Sequence, residues 1–127
     1  MTDVTYPAMR ANIVEALRAM ADPEHQNRVW LREEYARDGS YDDFTLHINS
    51  FDDLQMRDFP ERTVGDILRN KEELQAIRAV NDALATLFDR LGYQLSDEEY
   101  VNSPEWPQVV KTASAALRVF DDVEDIL

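Results

Sequence analysis

YDDFTLHINSFDDLQM, residues 41–56, determines the fold class that we predict for this chain. Phe44, Leu46 and Ile48 alternate with polar residues, and this two-residue period is typical of a half-buried strand. Asp52 and Asp53 then predict a turn, after which a second short strand returns. A two-stranded hairpin is only marginally stable alone, so this one must pack on helices or pair with a strand of another molecule.

Helical patterns on both sides of the hairpin predict the rest of the fold. The first helix runs from Ala8 to Met20, and Asp22-Pro23 caps a second helix that ends at residues 38–40. The longest helix covers residues 71–91, and further helices follow Ser96 and Ser103-Pro104. The predicted fold class is therefore α+β: a predominantly helical single domain over residues 1–127, with a small antiparallel β-hairpin inserted between the N-terminal and C-terminal helices. We expect the acidic tail, residues 121–127, to fray.

The composition limits the compartment and the class of protein. The absence of cysteine excludes disulfides and thiolate metal sites, which fits a reducing cytoplasm. No apolar run approaches the roughly 18 residues that a transmembrane helix needs, and the N-terminus has no cationic and apolar secretory signal. We therefore expect a cytoplasmic protein that does not bind membranes.

Negative charge is concentrated in two stretches of the sequence. Residues 38–61 carry seven acidic residues against Arg57 alone, and residues 96–127 carry eight against two basic residues. These stretches contribute −12 of the formal net charge of −13. A localised negative field favours basic protein partners and repels nucleic acid and anionic membranes.

No recognisable set of residues predicts catalysis, a cofactor or a metal site. There is no nucleophilic cysteine and no serine in a glycine elbow, and three glycines cannot form a glycine-rich phosphate loop. His47 lies among carboxylates, yet its spacing from them matches no known ligand pattern. Paired acids such as Glu72-Glu73 are better explained as solvated faces and first-turn caps, because adjacent helical positions diverge. We therefore predict a protein that is not an enzyme.

Aromatic residues beside paired carboxylates mark the predicted partner-binding site. Tyr41 and Phe51 bracket the predicted hairpin, and an aromatic ring beside carboxylates is typical of an anchor in an acidic interface. The alternative is that both rings pack the strand onto a helix. The predicted partner-binding residues are Tyr41, Asp42, Asp43, Phe51, Asp52 and Asp53.

A family resemblance points to a more specific function. It is carried by Tyr41-Asp42-Asp43-Phe44, His47, Phe51-Asp52-Asp53, Val64-Gly65, Ile67-Leu68 and the stretch SDEEYVNSPEW at residues 96–106. These short matches, spread over about residues 8–120, resemble small acidic immunity proteins of contact-dependent growth inhibition and related polymorphic-toxin systems. They also resemble uncharacterised actinobacterial proteins of similar length. The resemblance implies a protein that binds and neutralises a cognate toxin, often a nuclease.

These observations predict a non-enzymatic acidic binding protein, namely an immunity protein that occludes the basic surface of a toxin domain. A close charge match between such partners speeds their encounter. The alternative is a regulatory or assembly module that pairs with its own copy through the hairpin, which leaves a homodimer open. A metal-dependent hydrolase is a more distant alternative.

Overall fold

The described part of the chain, residues 4–33 and 42–120 of a computed structural model, has an all-helical fold, with helices joined by turns and loops. It contains six α-helices and no β-strand. The helices are α1 (Pro7–Ala21), α2 (Pro23–His25), which continues as a π-helix (Gln26–Leu31), α3 (Phe44–Asp53), α4 (Lys71–Leu91), α5 (Asp97–Val101) and α6 (Trp106–Phe120), with a 3₁₀ turn at Pro60–Thr63. None of these helices is long and apolar enough to cross a membrane.

The prediction of an α+β fold with a β-hairpin is wrong, because residues 44–53 form helix α3. Its buried positions are Phe44, His47, Ile48 and Phe51, which recur at three- and four-residue steps. The Asp43 carboxylate starts the helix by accepting a hydrogen bond from Leu46 N at 2.8 Å. Asp52 and Asp53 belong to its last turn. Self-pairing through a hairpin therefore has no basis among the described residues.

Helices α1, α4 and α6 form the centre of the domain, and α6 packs against both of the others. Helices α4 and α6 are antiparallel, because Arg90 Nε near the end of α4 lies 3.0 Å from Glu105 Oε2 just before α6. The predicted helix at 71–91 is confirmed as continuous, with Asn70 as its N-cap and Gly92 at its C-terminal end. The helix predicted after Ser96 is also confirmed, including its capping box.

A buried ion pair joins α1 to α4. Arg10 Nη1 and Nη2 donate hydrogen bonds to the two carboxylate oxygens of Glu73 at 2.7 and 2.8 Å. Both side chains are 1% exposed, and Arg10 also donates to the carbonyl oxygen of Ile67 at 3.0 Å. Our interpretation of Glu72-Glu73 as a solvated face with first-turn caps is therefore only partly right. Glu73 is not solvated, but its carboxylate accepts a hydrogen bond from Arg69 N, just before α4, at 2.8 Å.

An aromatic cluster fills the space between the π-helix, α3, α4 and α6. The Phe44 ring stacks on Phe88 at 5.9 Å and meets Trp106 edge-on at 5.0 Å, while Trp30 meets Trp106 edge-on at 6.0 Å. Trp106 Nε1 donates to buried Gln26 Oε1 at 2.9 Å, so its polar edge is satisfied. Both tryptophans are therefore core residues that position the N-terminal end of α3.

Candidate functional site

The carboxylate of Asp42, just before α3, lies between two histidines and a tryptophan. His25 Nε2 lies 2.5 Å from Asp42 Oδ2, and Trp30 Nε1 donates to the same oxygen at 2.9 Å. His47 Nε2 lies 2.5 Å from Asp42 Oδ1, a close contact without hydrogen-bond alignment. The side chain of Asp22 holds His25 in this place by capping the start of α2. One carboxylate thereby ties the α2 region to α3.

The environment of Asp42 favours its charged form. Burial alone would raise the pKa of this carboxyl, but the contacts with His47, His25 and Trp30 outweigh burial and lower the pKa from 3.8 to about 2. A neighbouring carboxyl shows the opposite shift. Burial and the charges of Asp43 and Asp42 raise the pKa of Asp97, although Asp97 accepts a hydrogen bond from Phe44 N.

The lowered pKa of Asp42 makes its carboxylate a source of stability above pH 4. Asp42→Asn should therefore cost about 2 kcal/mol of unfolding free energy at neutral pH. In the wild type, the same contribution should be lost as the pH falls from the unfolded-state pKa of 3.8 towards the folded value of about 2. Urea denaturation at a series of pH values measures both effects.

Asp97→Asn is the matched control, because the raised pKa of Asp97 means that its charge opposes folding above that pKa. The asparagine oxygen can still accept from Phe44 N, so this variant should be as stable as the wild type or more stable at neutral pH. Equal destabilisation by the two substitutions would show that charge at Asp42 has no special role.

His25 and His47 both contact the Asp42 carboxylate and are not arranged around an open metal site. In residues 4–33 and 42–120, no group of three or more His, Cys, Asp or Glu side chains is placed to hold a metal ion. His47 is buried and Asp42 is largely covered. The Asp42 cluster, which we define as His25, Trp30, Asp42 and His47, therefore connects the α2 region to the N-terminal end of α3.

A second group of predicted residues lies at the opposite end of α3. Asp52 and Asp53 are exposed in the last turn, where α3 has no basic residue. Arg57 Nη1 lies 3.3 Å from Asp52 Oδ1, and Arg57 Nη2 is 3.5 Å from the Tyr93 hydroxyl. The carboxylates thereby share a surface with Tyr93, which follows the end of α4. We call Asp52, Asp53, Arg57 and Tyr93 the acidic–aromatic surface.

Tyr93 is the most exposed large aromatic residue described, at 69%. One face of its ring stacks on Phe88 at 4.5 Å and 16° between planes, and the Arg57 guanidinium lies 5.2 Å from the same Phe88 ring. One face of the Tyr93 ring therefore packs on Phe88, and the rest of the ring is exposed to solvent. This geometry presents a flat apolar surface beside negative charge.

The predicted partner-binding residues do not form one patch. Asp42 and Asp43 lie at the start of α3 and Asp52 and Asp53 at its end, separated by about 15 Å for ten residues of helix. Phe51 is 0% exposed and packs in the core. Tyr41 and the acidic tail, residues 121–127, lie outside the described residues.

Comparison with known families assigns the chain to a family but gives no residue a role. A family model described as "Domain of unknown function (DUF7945)" matches residues 4–125. The chain belongs to this family. No curated protein and no solved structure matches the chain.

In this member of the DUF7945 family, the sequence pattern does not reveal that His25, Trp30 and Tyr93 lie beside the two ends of α3. His25 and Trp30 meet Asp42 from 12 or more positions away in the sequence, and no spacing rule connects them. Tyr93 lies in the loop after Gly92, and its exposure depends on how α3 and α4 meet. A lone aromatic just after a helix-ending glycine was the only available signal.

Proposed function

We propose that this protein is a non-catalytic binding protein that docks a basic partner on its acidic–aromatic surface, and that it acts as an immunity protein covering a basic toxin domain in the bacterial cytoplasm. The observation that carries the proposal is an exposed, supported Tyr93 beside the carboxylates at the end of α3. The sequence resemblance to immunity proteins supplies the class of partner.

Tyr93 has the properties of an anchor residue. Stacking on Phe88 and the contact with Arg57 hold its ring in place before binding, so little conformational entropy is lost on association. Tyrosines of this kind carry a large share of the binding energy in protein interfaces. Arg57 also satisfies Asp52 in part, which leaves Asp53 as the more open carboxylate of the pair.

Asp52 and Asp53 are placed where they do not favour folding. The C-terminal end of a helix carries partial negative charge, so acidic side chains there cost a few tenths of a kcal/mol to about 1 kcal/mol. Asp52→Asn plus Asp53→Asn should therefore leave the fold intact or slightly more stable. A loss of binding in such a variant cannot come from unfolding.

The charge variant and an aromatic variant should affect different steps of binding. With a toxin domain encoded beside this gene as the ligand, Asp52→Asn plus Asp53→Asn should lower the association rate and flatten its salt dependence. Tyr93→Ala should raise the dissociation rate about tenfold or more. Surface plasmon resonance at several salt concentrations separates the two rates, and rescue of growth on co-expression reports protection.

The matched control removes two exposed carboxylates elsewhere on the protein. Glu15→Gln plus Asp66→Asn changes the net charge equally, and both residues are exposed and lie outside the acidic–aromatic surface. This control should slow association much less than the Asp52 and Asp53 variant. If both pairs slowed association equally, the site would be wrong. If no toxin were bound or neutralised, the proposed function would be wrong.

A further inference from the structure

A second surface lies between α4 and α6 and has a different character from the acidic–aromatic surface. A groove of about 350 Å³ runs between the two helices. Its floor and walls are mostly small or apolar side chains: Ala76, Ala79, Ala115, Ala116 and Val119. Ala79 and Ala115 are exposed, so a partner helix can approach the backbone closely here.

The charges in the groove are balanced, unlike those of the chain as a whole. Glu72 and Lys111 are the two charged residues that line it. Neither makes an ion pair within the described residues. The net charge of −13 makes two copies of the chain repel each other over most of their surfaces. The groove is a face on which that repulsion is locally absent.

The two groove charges lie at opposite ends. Arg10 contacts both Glu73 and the Phe120 ring, so the start of α4 meets the end of α6. Glu72 therefore lies at the Val119 end of the groove. Lys111 is eight positions before Val119 and thus about 12 Å along α6 from that end. One copy offers an anion and a cation separated by an apolar centre.

We propose that the α4/α6 groove is the interface of a symmetric homodimer. A twofold axis through the apolar centre places Lys111 of one copy against Glu72 of the other, and the symmetry makes this pair twice. The exposed alanines form the centre of the interface, and the two ion pairs bracket it. The acidic–aromatic surface stays free for a basic partner, so this proposal does not depend on the proposed function.

Salt should affect the dimer and the basic partner in opposite ways. The repulsion between two copies of charge −13 acts over the whole surface, whereas the attraction comes from two local pairs. Salt screens the long-range repulsion more than it weakens the close contacts, so dimerisation should strengthen as salt is added from a low level. Binding of a basic toxin should weaken over the same range.

A charge-swap experiment tests the interface. Lys111→Glu alone and Glu72→Lys alone should each raise the dimer dissociation constant about tenfold or more, because each places like charges together twice. Mixing the two single variants should form a heterodimer about as tight as the wild type, since every pair is then opposite in sign. Sedimentation equilibrium of each variant and of the mixture measures these constants.

Two further variants complete the test. Lys71→Glu is the matched control for Lys111→Glu, because it changes the net charge equally outside the groove, and it should leave the dissociation constant within about twofold. Ala79→Glu should abolish the dimer. A wild-type monomer up to millimolar concentration, or a dimer insensitive to Ala79→Glu, would overturn the proposal. A dimer that forms only after removal of residues 121–127 would also overturn it, in favour of that segment as the occupant.

Discussion

Glu73→Gln is expected to lower the free energy of unfolding by about 3–5 kcal/mol. The substitution preserves the shape of the side chain but leaves the Arg10 guanidinium charged and 1% exposed, with the Ile67 carbonyl as a remaining partner. Removing one partner of a buried ion pair costs far more than the lost hydrogen bonds themselves. Urea denaturation should show a lower midpoint with an unchanged slope.

A double-mutant cycle separates the cost of removing one charge from the net value of the pair. Arg10→Met plus Glu73→Leu removes both charges, so it should be less destabilising than either single substitution. Glu15→Gln is the matched control, because Glu15 is exposed on the same helix as Arg10, and it should change the stability by about 0.5 kcal/mol or less. A double variant worse than both singles would show that the pair itself stabilises the fold.

The contrast between Glu72 and Glu73 shows what a sequence pattern can resolve. The cap Asn70 and the apolar spacing of residues 71–91 predict the bounds of α4, because both signals are local. The burial of Glu73 depends on Arg10, which lies 63 positions away. Since no local rule relates these two residues, the sequence pattern gives both acids the same interpretation, although Glu72 is on the surface and Glu73 is in the core.

The same limit explains the incorrect strand. Phe44 and Ile48 are four positions apart, a spacing that fits both a strand of period two and a helix of period 3.6. The residues that distinguish the two patterns are Leu46 and His47, and both are exceptions to simple hydropathy. Leu46 is 43% exposed, whereas His47 is buried because Asp42 supplies its partner.

The candidate site was predictable only in part. The concentration of acids in residues 38–61 is a property of the sequence, and it directs attention to the two ends of α3. The choice of aromatic residue is a property of packing. Phe51 lies on the inner face of α3, while the exposed ring beside the carboxylates is Tyr93, 36 positions after Arg57.

Phe51→Ala is expected to lower the unfolding free energy by about 3–5 kcal/mol, because it removes a fully buried ring from the contact between α3 and the core. Leu46→Asp should change the stability by about 0.5 kcal/mol or less. Leu46 is the third residue of α3 after the Asp43 cap, where an acidic side chain interacts favourably with the helix N-terminus.

A strand over residues 43–50 predicts the opposite result at position 46, namely strong destabilisation. There, Leu46 would point into the core with Phe44 and Ile48, and Leu46→Asp would bury an unpaired charge at a cost of several kcal/mol. Ile48 is inward in both arrangements, so Ile48→Asp should unfold the protein in either case and calibrates the assay. Helix α3 is contradicted if Leu46→Asp is as damaging as Ile48→Asp, and it is supported if Leu46→Asp matches the wild type while Phe51→Ala does not.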